Sequence, residues 1–175
     1  MNVIIDANIF KGYCRESIIG LEHKLTSSPS YLFQEEEYVM YIDDGDQMQY
    51  EYKAVDNPQV VEEMIIELLN SGKMRLTKTK IDPDFERILR SKGFDMNSRD
   101  KWYIRAALVA KEKSDTRTIY LITEDIDFFD PRKKNCSSKT RNITIRNKRS
   151  PVAHELIDRK KIKPICVENH VRQAY

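Results

Sequence analysis

The residues of this chain best suited to chemistry are carboxylates placed at the ends of segments. Asp6 directly follows the apolar run Val3-Ile4-Ile5, and Asp125 lies just beyond a second such run at residues 119–122, after Thr123-Glu124. Asp100 stands close behind Ser98, in the first turn of a helix that Asn97-Ser98 is expected to open, where the macrodipole favours a negative charge. Carboxylates gathered within a few ångströms repel, and each tends to take up a proton unless a cation shares them. The cation matching an all-oxygen ligand set is a hard divalent ion, Mg²⁺ or Mn²⁺. Asn8 and Thr123 flank the acids and can hydrogen-bond them or an attacking water, or simply cap turns; Asp127 reads as a turn residue or as one with a supporting role.

Other chemistries are excluded by what the chain lacks. None of its five glycines lies closer than eight residues to another, so neither a phosphate-cradling P-loop nor a GxGxxG turn can be written. His154-Glu155 begins like a metalloprotease HExxH, but the fifth position is Asp158, and no GxSxG nucleophile elbow occurs. The three cysteines, Cys14, Cys136 and Cys166, are too far apart and odd in number for a disulfide framework or a thiolate zinc site.

The acids must be positioned by an α/β fold. Val3-Ile4-Ile5 is the continuous apolar run of a strand buried on both faces, and residues 119–122 repeat it, Tyr120 apart. A helix is expected over residues 11–25, ended by the turn-rich stretch 26–30. Residues 38–42 read as a strand, and Asp43-Asp44-Gly45-Asp46 as a turn into a second arm at 47–52, ambiguous between strand and helix, giving a hairpin-like segment over 38–52. From Pro58 the spacing of Val60, Val61, Met64, Ile65, Leu68 and Leu69 marks an amphipathic helix with Glu62, Glu63 and Glu67 outside, and a short strand follows at 74–78. Asp82-Pro83 opens another helix, the Asn97-Ser98 helix runs to about residue 112, and a helix at 151–158 precedes a last strand at 162–167. Strands alternating with helices imply a three-layer α/β/α arrangement around a central, mostly parallel sheet. In such sheets ligands sit outside the carboxyl ends of the strands, where Asp6 and Asp125 lie.

At 175 residues, with 40% hydrophobic and 33% charged residues, the expectation is a single domain over 1–175. No apolar run approaches the roughly 20 residues of a membrane span, and no secretory signal is apparent, so a cytoplasmic protein without membrane partners is expected. The net charge of +2 hides an asymmetry: residues 132–163 hold twelve Lys or Arg against Glu155 and Asp158, a local +10 that leaves −8 elsewhere. Between 131 and 150 lies a basic loop whose Arg132, Lys133, Lys134, Lys139, Arg141, Arg146, Lys148 and Arg149 are candidates to hold a polyanion, with a solvated loop as the alternative.

Taken in order, Val3-Ile4-Ile5-Asp6-Ala7-Asn8-Ile9-Phe10, Asp100-Lys101-Trp102-Tyr103-Ile104-Arg105-Ala106-Ala107 and Leu121-Ile122-Thr123-Glu124-Asp125-Ile126-Asp127-Phe128 resemble the motifs of the PIN-domain family of metal-dependent nucleases. The resemblance implies a metal-assisted phosphodiesterase, usually acting on RNA, with Asp6, Asp100 and Asp125 in the metal site. The chain departs from the family at the second acid, where a short strand and helix usually carry a Glu. A subset of PIN-like proteins resembles this chain in placing Glu-Tyr after Asp and Gly, which selects Glu51; Glu62, Glu63 and Glu67 compete but lie on a polar helix face. Trp102 and the tyrosines can stack bases, although Trp102 falls in an apolar helical stripe.

The expected function is therefore a Mg²⁺- or Mn²⁺-dependent endoribonuclease. Single-stranded RNA is the expected substrate, because an open carboxylate rim reaches a flexible backbone more easily than a paired helix. Single-stranded DNA is the less favoured substrate. A catalytically silent RNA- or protein-binding module is the alternative from another class. A haloacid-dehalogenase-like phosphatase is disfavoured because Asn8 cannot donate the proton that a second Asp supplies there. Toxin, defence effector and processing enzyme remain open, with an antitoxin-like or regulatory protein, or a second copy of the chain in a dimer, as candidate partners.

Overall fold

A computed structural model describes residues 1–19, 38–54, 58–114, 117–147 and 150–167. Its centre is a sheet of β1 (Asn2–Ile5), β2 (Val39–Asp43), β3 (Met74–Thr77), β4 (Ile119–Ile122) and β5 (Ile162–Ile165), all parallel, in the order β3-β2-β1-β4-β5. Around it, among the described residues, are α1 (Ala7–Ile19), α2 (Gln47–Lys53), α3 (Pro58–Asn70), α4 (Pro83–Ser91), α5 (Lys101–Lys113), α6 (Ser138–Ile145) and α7 (Pro151–Lys160). Short 3-10 turns occupy Ile126–Phe128 and Pro131–Lys133. Parallel neighbours need crossover connections, and these carry the chain outward from β1 to β3 and then back across the sheet through α4 and α5, so helices cover both faces in three layers.

The strands read as they do because both faces are covered. Val3, Ile4 and Ile5 and, in β4, Ile119, Leu121 and Ile122 are all buried, whereas Tyr120 is half-buried beneath the Lys163 ammonium. Strand order reverses between β1 and β4, which makes their carboxyl ends the switch point where open sheets bind ligands. No helix among the described residues is long and apolar enough to cross a membrane.

Several local expectations are corrected. The hairpin at 38–52 does not form: β2 continues in parallel register with β3, and the Asp43-Asp44-Gly45-Asp46 turn leads into α2. The Asp43 carboxylate is the cause, because its Oδ2 and Oδ1 accept the backbone N–H groups of Gln47 and Met48, both at 2.8 Å. Met48 and Tyr52, four residues apart, then bury one helical face. The first helix starts at Ala7, directly after β1, rather than at Lys11, because the Asp6 carbonyl accepts from the N–H groups of Ile9 and Phe10. The expected helix end at residue 25 and the turn at 26–30 lie outside the described residues. The basic segment is not a loop throughout, since α6 crosses it, started by the Ser137 hydroxyl that accepts from the Thr140 N–H and packed on the core through Ile145.

Candidate functional site

At the switch point a cavity of about 190 Å³ is lined by Asp6, Asn8, Glu51, Asp100 and Asp125, together with the cations Lys11 and Arg99. Each acid arrives on a different element. Asp6 ends β1 and is buried, its Oδ2 accepting from the Thr123 hydroxyl at 2.6 Å and its Oδ1 from the Asn8 N–H at 3.1 Å. The same Thr123 hydroxyl oxygen accepts the Asp125 N–H, so one side chain ties the ends of β1 and β4 together. Asn8 contributes this N–H while its side chain is exposed. Asp100 precedes α5, which begins at Lys101 and not at Ser98; the intervening residues form a turn in which Ser98 Oγ donates to the Asp95 carbonyl. The Asp100 carboxylate makes no capping bond to the helix and instead accepts from Ser98 Oγ at 3.1 Å, which leaves it available to the cavity.

Glu51 sits on α2, not on a strand, so it does not alternate with its neighbours as a solvent-facing hairpin residue. Two tyrosines hold it in place. Tyr52 donates to the Ile5 carbonyl and stacks on Phe10 at 4.5 Å, fastening α2 to the end of β1. Tyr103, one turn along α5 from Asp100, donates its hydroxyl to Glu51 Oε2 at 2.6 Å while accepting the Ala7 N–H. Glu62, Glu63 and Glu67 are exposed on α3 and do not line the cavity. Trp102 is half-buried against the core with the Arg105 guanidinium 4.9 Å from its ring centre.

Among the described residues Asp100, Asp125 and Asp127 form a close group, with one oxygen of each within 4.8 Å of the others. Asp127 lies in a turn, as the sequence suggests, and its carboxylate also joins this group. The 3-10 turn after β4 folds its N–H onto Asp125 Oδ1 and buries its side chain. There Oδ1 of Asp127 has no hydrogen-bond partner, and Oδ2 accepts from Lys134 Nζ at 2.6 Å.

The electrostatics are set by this crowding. Burial, followed by repulsion from Asp125, pushes the Asp100 carboxyl up to about 7 from an ordinary 3.8, with Asp6 and Asp127 adding to it and the Ser98 hydrogen bond opposing it. Burial also raises Asp6; the Thr123 and Asn8 hydrogen bonds oppose the rise, and Asp125 and Glu51 add to it. The Lys134 ammonium is held above its usual range, first by its hydrogen bond to Asp127.

The basic segment divides. Arg132, Lys133, Lys134 and Lys139 are all exposed, Arg132 in a two-pronged ion pair with Asp130 and Lys134 paired with Asp127. Arg141 and Arg146 line a second cavity beside Glu124, and Lys148 and Arg149 lie outside the described residues. Sequence reasoning missed Tyr103, Lys11, Arg99 and the Lys134 contact. Only Tyr103 left a signal, because three residues after Asp100 it shares a helix face with it.

Asp43 supports the site without touching the cavity. Asp43→Ala should lower stability by about 1–3 kcal/mol through two uncapped N–H groups, read as a lower urea midpoint. An unchanged midpoint would show that α2 is held by Tyr52 and Met48 alone.

Comparison with protein-family models, with curated proteins and with solved structures finds no match to this chain.

Proposed function

We propose that this chain is a metal-dependent phosphodiesterase of PIN-like type that cleaves single-stranded RNA in the cytoplasm. The observation that carries the reading is the convergence of Asp6, Glu51, Asp100 and Asp125 from separate elements on one cavity at the switch point, with Lys11 and Arg99 on its wall. The donor set suits Mg²⁺ or Mn²⁺: it is all carboxylate oxygen, one buried oxygen of Asp127 lacks a partner, and burial and the repulsion of Asp125 hold the Asp100 carboxyl at about 7, which a cation shared by these oxygens would relieve. Asp100, Asp125 and Asp127 would hold the ion, with Asp6 and Glu51 beside them. When bound, it lowers the pKa of water and neutralises charge developing on a phosphate.

The protein's own groups do the rest. Lys11 and Arg99 engage the non-bridging phosphate oxygens and orient the strand. Thr123 and the Asn8 N–H fix the Asp6 carboxylate, and Tyr103 fixes Oε2 of Glu51, so that Oε1 receives the proton of the attacking water. A reducing compartment agrees with the three free cysteines, of which Cys136 is exposed.

One contact favours a second reading, a silent binding module in which the Lys134 ammonium stands in for the metal on Asp127. The test of both is cleavage of mixed-sequence RNA and DNA with Mn²⁺ or EDTA, beside melting curves of wild type and Lys134→Met. RNA cleavage that needs Mn²⁺, a Mn²⁺-dependent rise in melting temperature, and roughly 2- to 5-fold tighter Mn²⁺ binding by Lys134→Met are expected. No cleavage and no Mn²⁺ shift in either protein would establish the silent module.

A further inference from the structure

The second cavity, about 380 Å³, lies between α6 and the carboxyl ends of β4 and β5. Ser138, Arg141, Asn142 and Arg146 line it from α6 and the residue after it, and Glu124 and Cys166 from the strand ends. It adjoins the carboxylate cavity through a single loop. Thr123 ties that loop to Asp6, Asp125 faces the carboxylates, and Glu124 between them faces the second cavity. Consecutive Cα atoms are about 3.8 Å apart, so the two cavities share one stretch of wall, at Glu124 and Asp125.

Its chemistry differs from that of the rim. The buried Nε of Arg141 has no hydrogen-bond partner, although guanidinium donors taken from water normally find an acceptor. Among the described lining residues Arg141 brings a guanidinium and Glu124 a carboxylate. A guanidinium fork matches a phosphate or the acceptor edge of a base, and Glu124 and Asn142 offer acceptors for ring and exocyclic N–H groups. The space exceeds what a lone inorganic anion fills, and its walls join these polar groups to the apolar side chain of Ile145, a mixture that suits a base as well as a phosphate.

We propose that this cavity is a subsite for one nucleotide of the substrate strand, the one adjacent to the scissile phosphate, with Arg141 as its principal anchor. The assignment rests on the nuclease reading for what lies next door, but its binding chemistry is separable from cleavage.

The experiment is therefore done in EDTA, where cleavage is off. Anisotropy of a labelled single-stranded RNA pentamer is measured with wild type, Arg141→Met, Arg141→Lys and, as an exposed basic control, Lys113→Ala. Unlabelled nucleoside 5′-monophosphates, nucleosides and inorganic phosphate serve as competitors. Arg141→Met should weaken binding roughly 10- to 100-fold, Arg141→Lys should fail to restore it, and Lys113→Ala should change it by no more than about 3-fold. Nucleoside monophosphates should compete with the pentamer at concentrations where phosphate and nucleosides do not. Wild-type affinity in folded Arg141→Met, or equal competition by inorganic phosphate, would overturn the subsite. Should Arg141→Met not fold, Asn142→Ala and the wild-type competition series decide the question alone. Binding that behaves as expected in a protein that never cleaves would overturn the nuclease reading and leave the subsite standing.

Discussion

Asp100→Asn is expected to lower metal-dependent RNA cleavage by at least ~10²-fold while raising the melting temperature of the metal-free protein at pH 8. Removing groups that merely orient metal ligands costs about 10- to 100-fold, and Asp100 belongs to the close group of carboxylates itself. The stability change has the opposite sign for a physical reason. Burial and the neighbouring Asp125 disfavour the charged Asp100 carboxyl, so at pH 8 the folded chain holds a negative charge that the unfolded chain carries more comfortably. An amide of the same shape removes that repulsion and can retain the Ser98 contact. Few structural roles would produce this pairing, since Asn caps a helix about as well as Asp and a capping role predicts no gain in stability. A lower melting temperature with full activity would return Asp100 to the ordinary duty of starting α5.

The positions of Asp6 and Asp125 were legible in the sequence because a central parallel strand announces itself. Runs such as Val3-Ile4-Ile5 have no polar face, so an acid at their end must sit at the sheet's rim. The element that comes after a strand is written less clearly. Asp43-Asp44-Gly45-Asp46 carries the same turn chemistry whether a strand or a helix comes next, and the choice is made by tertiary contacts, chiefly the burial of Met48 and Tyr52 on one helical face. Glu51 was accessible only through resemblance to PIN-like proteins, since its local pattern suited a solvent-facing strand residue as well.

Asp127 and Lys134 illustrate a different limit. Residues two and seven apart meet here because 3-10 turns fold the chain back on itself after β4, and no periodicity marks such a path. The helix α6 was equally silent, having few apolar residues and depending on the Ser137 cap and the packing of Ile145. The consequence is functional. A segment that read as a uniform basic stretch contains ion pairs at Arg132 and Lys134 and a cavity lining at Arg141 and Arg146.

The pH dependence gives the second large effect. Below about pH 7 Asp100 carries a proton in the metal-free protein, and that proton must leave before the carboxylate can hold a cation. Mn²⁺ affinity, and cleavage at limiting Mn²⁺, should therefore fall by about 10-fold per pH unit below 7 and flatten above it. Stability of the metal-free protein should run the other way. Because the folded-state pKa is raised above 3.8, the contribution of Asp100 is fully present below that value and is lost as pH rises through about 7. Asp6, also raised, acts in the same direction. The rise in melting temperature caused by saturating Mn²⁺ should accordingly grow from pH 5 to pH 8, as proton and metal compete for one set of oxygens. Asp125→Asn tests the cause, since it removes the largest repulsion acting on Asp100 and should move the midpoint of Asp100 titration, followed by carboxyl carbon NMR, to lower pH. If that midpoint stays near 7 in Asp125→Asn, burial alone sets it; if wild-type Mn²⁺ affinity is flat from pH 5.5 to 8, Asp100 is not a metal ligand.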